Sequence, residues 1–290
     1  MLASVLTHWR GDPTVLGAAV VAVAVYWLYT RGSRSAGFEP DPKNDRRFAL
    51  MILLALFALE SPLDYLGDTY LFSAHMLQHL LLMLGVAPLA VFTIPPALVR
   101  DLKLWLPGWF IRFLTNPIVA FAWATIAMWG WHAPQLFELA LRDSNTHALE
   151  HLSFLESMFA FWWVAFAPSV SSRRLPAVGR IVYVFLGALP GTILGAALTF
   201  IQSPIYPTYV RALDTPGLGR TLALNFGLTP LVDQELGGLL MWVPGGFFYL
   251  VVIVGIFLSW AAGHQAAGGE LPGVRRLEKP PRRVRSKSKA

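Results

Sequence analysis

The chain contains no cysteine among its 290 residues. This absence excludes disulfide bonds, zinc sites built on thiolates, and any copper or redox chemistry that depends on a thiol. A metal ion bound by this protein must therefore be held by histidine, methionine or carboxylate side chains.

Charged residues are also scarce. They make up 14% of the sequence, whereas 55% of the residues are hydrophobic and the mean hydropathy is +0.53. Soluble domains usually carry about 25% charged residues, and a soluble globule of this size could not hide so much apolar surface. The net charge of +6 lies mostly in short loops and in the segment 275–289. It therefore does not indicate a nucleic-acid partner.

Apolar runs of a length that can cross a bilayer as a helix recur along the chain. They predict an all-α fold, a polytopic transmembrane bundle of about seven spans. The first run follows one early basic residue, Arg10, and has no convincing cleavage site after it, so we expect a retained span and not a signal peptide. The second is short and runs into Glu60-Ser61-Pro62, which leaves open whether it crosses fully. The predicted spans are 14–30, 48–60, 71–95, 117–138, 148–168, 179–202 and 236–262.

The loops predict the orientation, because lysine and arginine accumulate on the cytoplasmic side. Loops 31–47, 96–116 and 169–180 and the C-terminal tail are basic, whereas the alternate loops are acidic or nearly neutral. We therefore expect the N-terminus outside, the C-terminus in the cytoplasm, and a location in the plasma membrane. Residues 1–268 are expected to form one transmembrane domain, followed by a basic, disordered tail over 269–290. Within the spans, Gly187, Gly191 and Gly195 have the spacing that lets helices approach closely.

Two histidine pairs dominate the candidate chemistry. His75 and His79 lie in the third span, and His147 and His151 lie in the fifth. Each pair has i, i+4 spacing, which puts two imidazoles on one helix face. The predicted topology places both pairs in one layer near the outer face, together with His132, which is expected at the outer surface itself. Imidazole binds copper, zinc, iron and nickel, so we expect these five histidines to be metal ligands, and His8 and His264 not to be.

Several other side chains are expected to assist this site. Glu150 lies close to His147 in sequence and could orient an imidazole, and Glu156 is expected to face the bundle interior. Asp64, Asp68, Asp233 and Glu235 give the outer mouth an acidic character that would attract cations. Met76 lies beside the histidine face, and thioether sulfur suits Cu(I), although core packing also accounts for it.

The segment His147-Ala-Leu-Glu150-His151 also matches the H-x-x-E-H pattern of inverted zinc peptidases. In those enzymes the glutamate activates a metal-bound water. This scheme leaves the pair His75 and His79 unexplained. A metal-dependent hydrolase therefore stays an alternative and not the main prediction.

The chain resembles the multi-spanning CtaG-type cytochrome c oxidase assembly proteins of bacterial membranes over residues 45–262. Glu235 departs from that family, which often has glutamine there. The resemblance rests on His75-Met-Leu-Gln-His79, Trp131-His132-Ala133-Pro134, His147-Ala-Leu-Glu-His151, Asp233-Gln234-Glu235 and Met241-Trp242-Val243-Pro244-Gly245.

This resemblance implies a non-enzymatic copper-binding assembly factor of the bacterial inner membrane. Its implied partners are the catalytic subunit of a haem–copper oxidase, which receives the ion, and a periplasmic copper donor. The implied cargo is Cu(I) in preference to Cu(II), although the spacing alone does not select copper over zinc or haem iron. The alternatives are a haem-binding electron carrier, a metal-dependent hydrolase, and a transporter or scaffold without a stoichiometric metal. The sequence leaves open whether the protein forms a homodimer.

Overall fold

The computed structural model describes residues 7–35, 42–94, 96–166, 175–213 and 217–266. All regular structure in these ranges is helical, which confirms the all-α class. The basic tail 269–290 and much of the basic loop 169–180 lie outside the described residues. The helices are α1 Pro13–Ser35, α2 Pro42–Glu60, α3 Pro62–Thr69, α4 Phe72–Leu80, a π-helical segment Leu81–Val86, α5 Ala87–Thr93, α6 Pro96–Trp105, α7 Gly108–Leu114, α8 Pro117–Trp131, α9 Pro134–Arg142, α10 Ser144–Phe166, α11 Ala177–Phe200, α12 Pro207–Arg211, α13 Leu218–Phe226 and α14 Pro230–Ala266.

Four helical stretches in the described part of the chain are long and apolar enough to cross a membrane. They are α1, the continuous unit α4–α5, α11 and α14. Two bent pairs, α2 with α3 at 40° and α7 with α8 at 57°, would raise the number to six. The chain is thus a helical membrane protein, and the count of about seven stays a prediction. Helix α10, the predicted fifth span, is not among these stretches; it carries His147, Glu150 and His151.

Proline marks the start of many helices, since its fixed φ and missing N–H are compatible with the first helical position. A proline also divides the predicted span 117–138 into two helices. Helix α8 ends at Trp131 and α9 begins at Pro134, because a residue before proline disfavours the helical conformation. The break turns His132 into the bundle, where it is 5% exposed, and not to the outer surface as the sequence predicts.

The unit α4–α5 is interrupted by its π-helical segment. Pro88 has no N–H to continue the α-helical pattern, and the N–H of Ala87 bonds instead to the carbonyl of Leu82. The carbonyl of Met83 is thereby available to accept a hydrogen bond from the Trp162 indole at 2.9 Å. This contact fixes α10 against the central helix, and such π-segments often lie at functional sites.

Candidate metal centre

The first histidine helix is held at its start by a distant carboxylate. Asp233 of α14 accepts hydrogen bonds from the backbone N–H of Phe72 at 2.5 Å, and from the N–H and hydroxyl of Ser73 at 3.2 and 2.5 Å. These N–H groups belong to the first turn of α4, where no intrahelical partner exists. The sequence places Asp233 at the outer mouth, but its side chain is buried. It positions α4, and with it His75.

The short helix α3 lies against the same part of α4. A Cβ atom at Gly67 would lie 2.9 Å from the Cα atom of His75, so only glycine permits this approach of the two backbones. The Tyr209 hydroxyl donates to the Gly67 carbonyl at 2.7 Å. Burial raises the pKa of the Tyr209 phenol well above its usual value, which keeps the hydroxyl protonated as a donor. The backbone of α3 is therefore held beside His75.

Helices α4 and α10 bring the two histidine pairs together. The ring centroids of His75 and His79 are 4.3 Å apart, and those of His147 and His151 are 4.2 Å apart. Between the helices, His75 lies 5.5 Å from His147 and His79 lies 5.5 Å from His151. The four imidazoles form one compact group, which we call the histidine cluster.

Two carboxylates flank the histidine cluster. The Glu150 side chain is fully buried, with its two oxygens 3.8 Å from Nε2 of His75 and 3.8 Å from Nε2 of His79. It therefore faces the pair on α4, whereas the sequence pairs it with His147. On the other side, Oδ1 of Asp68 lies 3.3 Å from Nε2 of His147 and 3.8 Å from Nδ1 of His75. The mouth carboxylate closest to the imidazoles is thus Asp68.

Among the described residues, many polar atoms of this group are buried without a hydrogen-bond partner. Buried polar groups in native proteins are nearly always paired, because an unpaired one loses its hydration without compensation. A cation would satisfy them, and two subsets have ligand atoms within 4.8 Å of one another: His75 with His147 and His151, and His75 with His79 and Glu150. The unpartnered atoms are Oδ1 of Asp68, both ring nitrogens of His75 and of His79, Nε2 of His147, Nε2 of His151 and both carboxyl oxygens of Glu150.

The N-terminal segment lies against the α3 carboxylates beside this group. Arg10 donates to Asp64 at 2.5 Å and to Oδ2 of Asp68 at 3.1 Å. Asp64 also accepts a hydrogen bond from the Gln78 amide at 2.7 Å and is buried in α3, whereas the sequence places it at the outer mouth. Sequence reasoning missed the roles of Arg10 and Gln78. For Gln78, the position between His75 and His79 in the sequence was a signal that it lies near the site.

Replacing Arg10 with glutamine is expected to speed cation binding roughly tenfold, the low end of electrostatic effects on association rates. The guanidinium occupies one oxygen of Asp68 and repels an approaching cation. Stopped-flow measurement of Cu(I) binding by the purified protein checks this. Arg142→Gln is the matched control, because Arg142 pairs with Glu138 at 3.0 Å. Equal rates for wild type and Arg10→Gln would contradict this role for Arg10.

His132 and Met76 lie beside the cluster. The His132 ring is 6.2 Å from the His79 ring and belongs to neither of the two subsets. Its Nδ1 atom lies 2.7 Å from the Met128 carbonyl oxygen, and its Nε2 atom lies 3.3 Å from the sulfur of Met76.

A lateral groove of about 990 Å³ also reaches the cluster. Its lining is mostly apolar and includes residues of α1, α2 and α10, among them His147 and His151. Glu156 lines the groove and is exposed, so it does not face the bundle interior as the sequence predicts. The histidine pair of α10 therefore borders this groove.

The fold and the site define a polytopic helical membrane protein in which histidines and carboxylates from different helices meet in one buried group. The family model of the cytochrome c oxidase caa3 assembly factor, Caa3_CtaG, matches residues 14–262. The chain belongs to this family, as its resemblance to the CtaG-type proteins predicts.

Curated relatives carry no assigned function. Uncharacterized proteins of Mycobacterium bovis and Mycobacterium tuberculosis are each 27% identical over 284 residues, which is 90% of this chain and 40% of theirs. An uncharacterized protein of Mycobacterium leprae is 23% identical over 273 residues, 88% of this chain and 40% of its own length. The chain thus spans well under half the length of the relatives it matches. No solved structure matches it.

Proposed function

We propose that this chain is a non-enzymatic assembly factor that holds copper in the histidine cluster and passes it to the catalytic subunit of a haem–copper cytochrome c oxidase. The observation that carries the proposal is the set of buried, unpartnered imidazole and carboxylate atoms around His75. Membership of an oxidase assembly family supplies the context.

The chemistry of the donors fits a copper ion. Buried imidazoles are neutral ligands suited to copper and zinc, and Glu150 and Asp68 supply negative charge that offsets the charge of the ion. Because His75 contributes to both ligand subsets, the ion can change partners one ligand at a time. Such stepwise exchange is what transfer to another protein requires.

The geometry of the bundle supports lateral transfer. The cluster lies where α4 and α10 begin, and the proposed topology, seven spans with the N-terminus outside, puts this end at the outer face of the inner membrane. A periplasmic donor would load the site past Arg10. The groove beside His147 and His151 then offers an apolar path toward a membrane-embedded partner. We propose residues 1–268 as one transmembrane domain; a homodimer is compatible with this arrangement.

The groove also favours one alternative, haem binding, because a flat apolar ligand in it would meet His147 and His151. A haem uses at most two axial imidazoles, however, one from α4 and one from α10, and would leave Glu150 and the other two histidines without partners. The hydrolase alternative requires Glu150 to act on a water near His147 and His151. In the described structure this carboxylate faces His75 and His79.

Metal analysis of the detergent-purified protein after loading with Cu(I) tests the proposal. We expect His75→Ala and His151→Ala each to bind one copper ion fewer per chain than wild type. Removing a ligand should weaken binding more than the loss of a supporting residue, which alone costs about 10–100-fold in affinity. His8→Ala is the matched control, because His8 is exposed and packs against Tyr65.

Circular dichroism and size-exclusion chromatography establish that each variant is folded. Unchanged copper content in folded His75→Ala and His151→Ala would refute the copper site. A haem absorbance spectrum in the wild-type protein would favour the electron carrier. Hydrolytic turnover that Glu150→Gln abolishes, with the metal still bound, would favour the enzyme.

A further inference from the structure

A second group of potential ligands lies deeper in the bundle and is lined with sulfur. A cavity of about 30 Å³ is bounded by residues of α4, the π-helical segment, α8, α11 and α14. Four of the seven methionines of the chain line it: Met76, Met83, Met128 and Met241. His79 and His132 line it as well. A volume of this order holds one water molecule or one ion.

The protonation of His132 is fixed by its hydrogen bond. The Met128 carbonyl oxygen can only accept, so Nδ1 of His132, 2.7 Å away, must carry the ring proton. Both ring neighbours of His132 are neutral, so a buried imidazolium would have no compensating charge. The ring is therefore neutral, and its Nε2 atom presents a lone pair.

The lone pair on Nε2 of His132 faces the lone pairs of a methionine sulfur. Nε2 of His132 lies 3.3 Å from the sulfur of Met76, and a thioether has no hydrogen to donate. Two buried Lewis bases thus face each other at about van der Waals distance, with no hydrogen between them. A cation bonded to both atoms accounts for the arrangement.

The surroundings favour a soft, weakly charged cation. Thioether ligands prefer Cu(I) over harder divalent ions, and the cavity lining is mostly apolar. The Met128 sulfur lies against α11, where a Cβ atom at Gly191 would be in ordinary contact with it at 3.4 Å. His79 connects the two regions, because it belongs to the histidine cluster and also lines the cavity, and its ring lies 6.2 Å from that of His132.

We infer that His132 and Met76 form a second, separate binding position for a soft monovalent cation, Cu(I) or its analogue Ag(I), beside the histidine cluster. This inference rests on the proposed copper function and adds a position that selects the oxidation state. The histidine cluster accepts several metals, whereas the position between His132 and Met76 accepts only a soft ion. An ion passes between the two positions through His79.

Counting bound ions after loading purified protein separately with Ag(I) and with Zn(II) tests this inference. Wild type is expected to retain one more silver ion than zinc ion per chain. Met76→Leu, which preserves side-chain volume, and His132→Ala should each lose that extra silver ion and keep the zinc. Met158→Leu is the matched control, because Met158 is equally buried and does not line the cavity.

X-ray absorption at the copper edge of Cu(I)-loaded wild type provides a measurement that needs no variant. Because the chain has no cysteine, any sulfur bonded to copper must belong to methionine, and we expect sulfur in the copper coordination shell. Equal numbers of silver and zinc ions, an unchanged silver count in folded Met76→Leu, or a shell without sulfur would overturn the inference. The proposed function fails separately, when His75→Ala keeps its full zinc and copper content.

Discussion

Replacing Gly238 with alanine is expected to destabilise the protein, although alanine is the better helix former. Helices α11 and α14 form the most extensive helix contact in the described structure, and Gly238 lies in it. A Cβ atom at Gly238 would lie 2.6 Å from the Gly195 carbonyl oxygen and 2.7 Å from the Thr199 backbone nitrogen. These are backbone atoms that cannot move aside independently, so the two helices must separate.

Two opposing contributions to the free energy of unfolding decide whether Gly238→Ala destabilises the protein. Helix propensity favours alanine over glycine by about 1 kcal/mol, whereas overpacking a close contact costs about 1–3 kcal/mol and occasionally more. We therefore expect a net loss of stability, visible as a lower midpoint of thermal unfolding in detergent. Gly255→Ala on the same helix is the control, because a Cβ atom there meets nothing within 4 Å. An unfolding midpoint for Gly238→Ala equal to or above that of Gly255→Ala would contradict the close packing of α11 on α14.

Asp233→Ala is expected to lower both the stability of the protein and the affinity of the proposed copper site. The substitution removes the acceptor of two N–H groups and one hydroxyl at the start of α4. A buried donor left without a partner costs about 1–3 kcal/mol. The first turn of α4 should then loosen, and this turn lies directly before His75. Thermal unfolding and a Cu(I) competition titration measure the two effects.

A second helix cap provides the control for Asp233→Ala. Asn116 caps α8 through a hydrogen bond from the Ile118 N–H at 2.9 Å, at an exposed position. Asn116→Ala should cost about 1 kcal/mol of stability, as loss of a cap typically does, and leave copper binding intact. Copper affinity in Asp233→Ala equal to that in Asn116→Ala would mean that Asp233 stabilises the fold without positioning His75.

The glycines of α11 show how much the spacing of residues in the sequence predicts about helix packing. The four-residue spacing of Gly187, Gly191 and Gly195 predicts a close helix approach, and Gly195 fulfils it against α14. The other two serve different neighbours: a Cβ atom at Gly187 would lie 2.2 Å from the Phe161 ring, and Gly191 faces Met128. Residues four apart on an α-helix face somewhat different directions around the helix axis, because the helical period is 3.6 residues. The sequence does not state which neighbouring helix each glycine meets.

The amino-acid sequence by itself determined the helical membrane character of the chain and the placement of two imidazoles on one face of each histidine helix. Both follow from local rules, the length and apolarity of a span and the period of the α-helix. The family was also evident from the histidine, proline and tryptophan motifs. The break after Trp131 was foreseeable from Pro134, since the effect of proline on its preceding residue is local.

Only the tertiary structure decided which side chains meet. The sequence does not reveal that Glu150 faces His75 and His79, because the packing of α10 on α4 directs this carboxylate toward the neighbouring helix. It does not reveal that Asp68 and Arg10 flank the cluster, or that Nε2 of His132 faces the sulfur of Met76 across 56 positions of the chain. Contacts between residues far apart in sequence depend on how whole helices pack, and no local pattern encodes that arrangement.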